Sequence, residues 1–191
     1  MPTGIAIRNV RQHLFDAAER ILLRDGPQAL TSRAVTTEAG CAKGVLHRHF
    51  TDFDGFLFEF VEDRVARVND QAAALRAAAG TGTVSGNLTD ALTRLLGSVT
   101  PAIISLVIVH DGLRARLRQA GHVGLPVVKE ATAMIAAYLA AEQDLGRVAD
   151  GADVNTLAPM LIGAGHLLVA ERDGVPPDRA EVQKVVAGVI A

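Results

Sequence analysis

Four basic or potentially basic side chains lie close together in a stretch that lacks carboxylates. Residues 39–51 contain no Asp or Glu but include Lys43, His47, Arg48 and His49. Such side chains bind phosphate oxygens and donate hydrogen bonds to base edges in the major groove of DNA. The whole chain has a formal net charge of −2, so this stretch is a local site and not part of a general polycation. It predicts a nucleic-acid contact.

Three short helices are expected to position this stretch. Apolar residues at spacings of three and four predict a first helix that ends at Gly26, and Thr31 is a suitable N-cap for a second helix. A tight turn at Gly40 leads to a third helix over about residues 42–49. This order is that of a helix-turn-helix unit, whose last helix enters the major groove. Its apolar inner face is supplied by Val35, Leu46 and Phe50.

The remainder of the chain is also predicted to be helical, so the fold class is all-α. No convincing period-2 alternation of apolar residues occurs, and no sheet is expected. Further helices are predicted over about residues 54–79, 87–99, 101–118, 125–145, 153–172 and 178–190. Asp153 and Asp178 are suitable N-caps for the last two helices. The apolar run at residues 102–109 predicts a helix buried at the centre of its domain.

These helices divide into a small head and a larger body. We expect a helix-turn-helix domain over residues 1–52 and a helical domain over residues 53–191, with the long helix at 54–79 leading from one to the other. Four of the six phenylalanines, Phe53, Phe56, Phe58 and Phe60, follow the proposed boundary. We expect these rings to pack the head against the body.

Composition and motifs exclude several classes of protein. Hydrophobic residues make up 49% of the chain and charged residues 21%, as in a globular protein. The single cysteine, Cys41, excludes a disulfide framework, and we interpret it as a small apolar side chain in a turn. The apolar run at residues 101–109 is too short to span a bilayer, and the first residues lack the apolar core of a secretory signal. We therefore expect a cytoplasmic protein with no membrane partner.

Catalytic and metal-binding motifs are also missing from the sequence. It contains no nucleophile elbow, P-loop or HExxH pattern. His110, His122 and His166 are separated by 12 and 44 residues, spacings that do not place metal ligands on one helix face. We expect no enzyme activity, no metal and no cofactor.

Residues 30–57 read LTSRAVTTEAGCAKGVLHRHFTDFDGFL. The informative positions are Leu30, Thr31, Val35, Ala39, Gly40, Gly44, Leu46, His49, Phe50 and Leu57. In these residue types and their spacing, the segment resembles the N-terminal signature of the TetR family of transcriptional regulators. Ala17, Ala18 and Gly26 extend the resemblance to about residues 8–60. Beyond them, only the size and the all-helical layout are similar to the family.

The resemblance implies roles for individual residues at a DNA interface. Base or backbone contacts are implied for Arg33, Lys43, Gly44 and Val45, and phosphate contacts for His47 and His49, with Arg48 flanking the same face. The chain departs from the family pattern at Ala42, Val45, His47 and Phe53, where the family often has Ser, Thr, Tyr and Lys. Because two hydroxyls and one cation of the usual phosphate contacts are missing, we expect weaker non-specific DNA binding than is usual for the family.

The resemblance also implies a function for the body. It implies a homodimer that pairs the helices at about 153–172 and 178–190 into a four-helix bundle, with an apolar seam at Leu157, Met160, Leu161, Ala164, Leu168, Val182, Val185, Val186 and Val189. It further implies a small, largely apolar effector. Candidate ligand-binding residues in the body are Ser105, His110, Met134, Tyr138 and His166.

The function implied is that of a ligand-responsive regulator, most often a repressor, bound to an inverted-repeat operator in double-stranded DNA. The departures from the family pattern leave an alternative open, in which the chain is a degenerate member that binds a small molecule or a partner protein without an operator. A third interpretation, an all-α enzyme that uses His110 and His122, has no motif in its support.

Overall fold

Helices form wherever the apolar residues repeat at three and four positions, and caps set their ends. The computed structural model describes residues 9–172 and 175–190. Its described residues form α1 (Val10–Asp25), α2 (Ser32–Glu38), α3 (Gly44–His49), α4 (Phe53–Ala77), α5 (Val84–Leu96), α6 (Thr100–Val109), α7 (Asp111–Gln119), α8 (Pro126–Asp144), α9 (Val154–Ala170) and α10 (Arg179–Ile190). A single 3₁₀ turn covers Pro27–Ala29, and no strand occurs among these residues.

The caps explain several of these boundaries. The Thr31 side chain accepts a hydrogen bond from the Ala34 N–H at 3.1 Å, which confirms it as the N-cap of α2. Asp153 caps α9 in the same way. At α10, the Glu181 N–H donates to Asp178 and the Asp178 N–H donates to Glu181, both at 2.9 Å, which is a reciprocal capping box.

One predicted helix, at residues 101–118, is wrong because the chain breaks at His110. This residue has extended backbone angles, and its Nδ1 accepts the Leu113 N–H at 3.3 Å, so that it caps α7. The Arg114 guanidinium then donates to the carbonyls of Val107 and Ile108 at the end of α6. Two sets of unpaired backbone groups are thereby satisfied, which compensates for the hydrogen bonds lost at the break.

The expectation that residues 102–109 lie at the centre of the body is also wrong. Only one side of α6 is buried, by Ile103, Leu106 and Val107, whereas Ile108 is 57% exposed. The centre is occupied instead by α4 and α8, which pack along each other. Around this pair, α5 packs against α10, and α9 contacts both α8 and α10.

Two further expectations need correction. The helix predicted from about residue 87 begins at Val84, because Thr83 accepts the Gly86 N–H at 3.0 Å and caps it earlier. In the proposed dimer seam, Leu161, Val182 and Val186 are buried inside the protomer and do not face outward. Within residues 9–172 and 175–190, no single helix is long and apolar enough to cross a membrane. Helices α5 and α6 together have the length and apolar composition of a membrane span, but the chain bends by 49° between them.

Candidate nucleic-acid interface

The turn between α2 and α3 sets the position of the basic stretch. Gly40 has a φ of +62°, a left-handed conformation that favours glycine. Its N–H donates to the Thr37 carbonyl and the Cys41 N–H donates to the Thr36 carbonyl, both at 3.0 Å, which is a Schellman termination of α2. His13 of α1, whose role the sequence analysis missed, lies with its Nε2 2.8 Å from the Ala39 carbonyl. The turn is thus held from both sides.

Helix α3 presents its basic residues outward. Leu46 is fully buried, whereas Lys43, His47, Arg48 and His49 are exposed. Arg33 on α2 and Gly44 at the start of α3 are also exposed, so that six of the seven predicted DNA-binding residues are accessible to solvent. Among residues 9–172 and 175–190, none of the five basic side chains in this set forms an ion pair or a side-chain hydrogen bond.

Val45, the seventh of these residues, is placed differently. It is half-buried and packs against the hydrophobic core of the head, so that only part of its side chain remains accessible. Phe53, which stands where the family often has Lys, stacks on Phe56 with ring centroids 5.8 Å apart. This ring therefore contributes packing at the start of α4.

The carboxylates that flank the basic stretch are paired with other partners. Glu38 accepts hydrogen bonds from Arg20 at 2.8 Å and from Arg24 at 3.1 Å, and these bonds lower the pKa of its carboxyl group. Asp52 accepts the Gly55 N–H at 2.7 Å as the N-cap of α4 and also pairs with Arg116 of α7. Because both negative charges are compensated elsewhere, the exposed face of α3 remains positive.

The back of α3 is fixed by aromatic rings and by an arginine. Phe50 ends the helix and contacts Phe15 of α1 and Phe56 of α4, with centroid separations of 5.7 and 5.0 Å. Arg11 of α1 donates to the His49 carbonyl at 3.0 Å, and its guanidinium lies 4.5 Å above the Phe50 ring. The aromatic contacts cross the boundary predicted at residues 52 and 53. Position and orientation of α3 are therefore tied to both neighbouring helices.

A buried arginine, Arg64, connects α1 of the head to α4 one helical turn after Phe60. Arg64 is 3% exposed, lies over the Phe60 ring at 4.9 Å and pairs with Glu19 of α1 at 2.8 Å. Burial lowers the pKa of Arg64, and the nearby Glu19 opposes this shift. Because a buried charge needs a partner, this pair favours one arrangement of α1 on α4.

The five candidate ligand-binding residues of the body do not meet in one pocket. Ser105 and His166 line a cavity of about 620 Å³ beside the head. His110 faces α4, where its Nδ1 lies 3.7 Å from Asp54. Met134 and Tyr138 are buried in the core of the body.

Tyr138 belongs to a polar network that the sequence analysis missed. Its hydroxyl donates to Glu142 Oε1 at 2.5 Å and accepts from Asn87 at 2.9 Å. The other Glu142 oxygen accepts the Gly80 N–H at 3.2 Å and lies 3.1 Å from Arg147. Burial and the bond to Glu142 raise the pKa of Tyr138 to about 12. Its polar atoms are thus already partnered within the protein.

Comparison with known proteins identifies the head. Residues 14–59 match the family model described as bacterial regulatory proteins, tetR family. The N-terminal domain of this chain belongs to the TetR family. The matched residues include most of α1, the whole of α2 and α3 and the aromatic contacts to α4, which confirms the resemblance found in the sequence. No curated protein sequence matches the chain.

Solved structures show that the TetR-type fold extends beyond the head over nearly all of the chain. A TetR-family regulator from Mesorhizobium loti is 16% identical with a TM-score of 0.69, covering 98% of this chain and 96% of that one. A TetR-family member from Streptomyces coelicolor is 24% identical with a TM-score of 0.61, covering 95% and 98%. FadR from Bacillus subtilis, solved with stearoyl-CoA, is 15% identical with a TM-score of 0.68, covering 94% and 97%.

The chain therefore has the fold of a TetR-family transcriptional regulator, with a DNA-binding helix-turn-helix head on an all-α body. Members of this family bind DNA operators and small-molecule ligands, act as dimers and are generally not enzymes.

Within the described residues, no group of His, Cys, Asp and Glu side chains is arranged to hold a metal ion. Burial raises the pKa of the Cys41 thiol, which disfavours the reactive thiolate at this position.

Proposed function

We propose that the chain is a ligand-responsive repressor that binds an inverted-repeat operator as a homodimer and is released by a small, largely apolar effector. The observation that carries this proposal is the set of exposed basic side chains on α3 that have no described partner. His47, Arg48 and His49 project from a helix whose opposite side is fixed in the core, and Lys43 directly precedes this helix. Phosphates and base edges of DNA would supply acceptors for these donors.

The dimer is supported by an apolar strip on α9. Met160 is 51% exposed and Leu167 is 60% exposed, and the exposed Gly163 lies between them on the same side of the helix. Glycine at this point permits a second helix to approach closely. We infer that α9 and α10 of two protomers pair here. The pairing would set two copies of α3 at the spacing of successive major grooves, about one helical turn of DNA.

The ligand-responsive part of the proposal is supported by the fold. The similar FadR structure contains stearoyl-CoA, and the body of this chain contains a cavity of about 410 Å³, a size that accepts small molecules. The proposal includes no catalytic step. His122, which the enzyme interpretation requires, lies 2.9 Å from Glu62 of α4, and His110 caps α7.

Selection from randomised duplex DNA at about 150 mM salt tests the operator, because this salt weakens bulk phosphate attraction and reveals base readout. We expect an inverted repeat. A Lys43→Ala, Arg48→Ala double variant is expected to lose enrichment and to reduce the salt slope by about two. A matched control, Arg118→Ala with Lys129→Ala, removes the same charges from exposed positions of the body and should retain both properties.

The alternative, a degenerate member without an operator, makes the opposite prediction. Folded and dimeric protein would then enrich no sequence, and the two double variants would behave alike. The dimer itself is tested by sedimentation of Met160→Asp, Leu167→Asp, which should give monomers. Val123→Asp, an exposed position away from the strip, should leave the dimer intact.

A further inference from the structure

Helix α3 has few means of its own to keep its position. It contains only six residues, of which only Leu46 is buried, and the residue before it, Lys43, provides no side-chain cap. Helices this short are marginal in water unless other parts of the chain pack against them. The position of α3 must therefore be set largely from outside the helix.

Two side chains of α1 hold the backbone on either side of α3. After the helix, Arg11 donates to the His49 carbonyl at 3.0 Å, which is one of the groups that a helix end leaves without an internal partner. Before the helix, His13 Nε2 lies 2.8 Å from the Ala39 carbonyl, and because a carbonyl can only accept, this nitrogen carries the proton. These bonds join residues 38 and 26 positions apart in the chain. They therefore fix α3 and its turn on α1.

The Arg11 guanidinium already has its partners inside the protein. Besides its bond to His49, it pairs with Glu59 of α4 and lies 4.5 Å above the Phe50 ring. The charge of Glu59 compensates that of Arg11. In this respect Arg11 differs from Lys43 and the basic residues of α3, which have no described partner.

We propose that Arg11 and His13 are positioning residues of the DNA interface, which hold α3 in the orientation that reads base edges and do not contact DNA themselves. This inference rests on the proposed function, because it names residues that prepare the same binding surface. A helix held in its binding orientation before DNA arrives loses less conformational freedom on binding.

A positioning residue and a phosphate contact affect DNA binding in different ways. Loss of one charged phosphate contact lowers the salt slope by about one, for every DNA sequence alike. Loss of a positioning residue leaves the number of phosphate contacts unchanged but misaligns the donors that read base edges. The preference for the operator over other DNA then falls while the salt slope stays the same.

Arg11→Met, with Arg20→Met as the matched control, tests the end of α3. Arg20 also lies on α1 and also pairs with a carboxylate on another helix, but its described partner is Glu38 of α2. Affinities for the selected operator and for a scrambled duplex of equal length are measured by fluorescence anisotropy over a range of salt. We expect Arg11→Met to lower their ratio by about tenfold or more, the discrimination of one base pair, at an unchanged salt slope. Arg20→Met should change the ratio less than twofold.

The opposite result is equally specific. A salt slope lowered by about one at an unchanged ratio would show that Arg11 contacts phosphate, and would overturn its role as a positioning residue.

His13→Leu and His13→Gln test the turn before α3. Leucine removes the donor to Ala39, whereas the glutamine amide keeps a donor at about the place of Nε2. We expect His13→Leu to lower the ratio of the two affinities as Arg11→Met does, and His13→Gln to retain most of the wild-type ratio. Equal losses in the two variants would overturn the role assigned to the His13 hydrogen bond.

Hydrogen exchange in the absence of DNA separates this inference from the proposed function. The reporter is the Phe50 N–H, which donates to the Leu46 carbonyl at 3.0 Å at the end of α3, and amides of α8 report on global unfolding. Relative to those amides, we expect the Phe50 N–H to exchange at least tenfold faster in Arg11→Met and at the wild-type rate in Arg20→Met. Equal rates in all three proteins would overturn the proposal. Faster exchange in Arg11→Met without any enriched operator would support the hold of α1 on α3 while contradicting the proposed function.

Discussion

The head and the body treat their polar side chains in opposite ways. In the head, the basic residues of α3 are exposed and have no described partner, while the acids beside them are paired elsewhere. In the body, Glu142 is fully buried and all its described contacts are internal, to Tyr138, Arg147 and the Gly80 N–H. Polar groups left without partners on a rigid surface are available to another molecule, whereas groups that satisfy one another stabilise the fold.

This contrast separates residues that look alike in the sequence. His47 and His110 are both histidines next to charged residues, yet His47 is exposed on α3 and His110 caps α7 and faces Asp54. Tyr138 is the only tyrosine, which suggests a special role, but its hydroxyl donates to Glu142 and accepts from Asn87 inside the core. Substitutions in each region can therefore distinguish a structural network in the body from a functional surface on the head.

The largest effect is expected at Glu142. Glu142→Ala leaves the Tyr138 hydroxyl and the Gly80 N–H without their acceptor and removes the carboxylate that pairs with Arg147, and we expect the free energy of unfolding to fall by about 3 kcal/mol. Urea unfolding measures this loss. The control is Glu38→Ala in the head, where the carboxylate pairs with Arg20 and Arg24 near the surface and a much smaller loss is expected. Equal losses of unfolding free energy for the two variants would show that buried carboxylates of the body stabilise the fold no more than surface carboxylates of the head.

Tyr138 gives a second test, by direct titration. Because it is the only tyrosine, the ultraviolet absorbance of tyrosinate reports on this residue alone. We expect a midpoint near 12 in the folded protein and near 10 in urea. Since the unfolded chain then loses its proton first, stability should fall as the pH rises from about 10 to about 12, and Tyr138→Phe should remove this part of the decline. A native midpoint near 10 would contradict the network.

The head could be predicted from the sequence because its signals are local. Thr31 caps the helix that follows it directly, Gly40 forms the turn in which it stands, and Val35 and Leu46 are buried as their spacing requires. Each of these features depends on residues within about one helical turn. The likeness to a family signature added roles but was not needed for these elements.

The body could not be predicted to the same depth because its contacts join distant parts of the chain. Asn87 reaches Tyr138 across 51 residues, and the Gly80 N–H reaches Glu142 across 62. No periodicity reveals such pairs. The break at His110 had a weak local signal, since a histidine side chain can accept from the N–H three residues later. The Arg114 guanidinium donates to the last carbonyls of α6 and so stabilises the break. The spacing of residues in the sequence does not reveal this contact.

Val45→Thr tests how the head reads sequence. Val45 is half-buried, so the substitution exchanges one methyl group for a hydroxyl at the edge of the interface without changing charge. We expect the selected DNA motif to change at one position of each half-site, by about 1 kcal/mol, because an apolar contact with a thymine methyl is exchanged for a hydrogen bond. The salt slope should stay the same. An unchanged motif, with Val123→Thr as the control, would mean that Val45 serves only in packing.

The smallest effect is expected at the joint between the two regions, where Arg116 of α7 pairs with Asp52 at the start of α4. Both side chains are partly exposed, so Arg116→Met should lower the free energy of unfolding by less than about 1 kcal/mol, and less still at high salt. Asp52→Ala also removes the cap on the Gly55 N–H, and this additional loss of about 1 kcal/mol should persist at high salt. A double-mutant cycle in urea separates the ion pair from the cap. If Arg116→Met cost as much as Glu142→Ala, the joint would be part of the rigid core, and the head would have little freedom to reorient on the body.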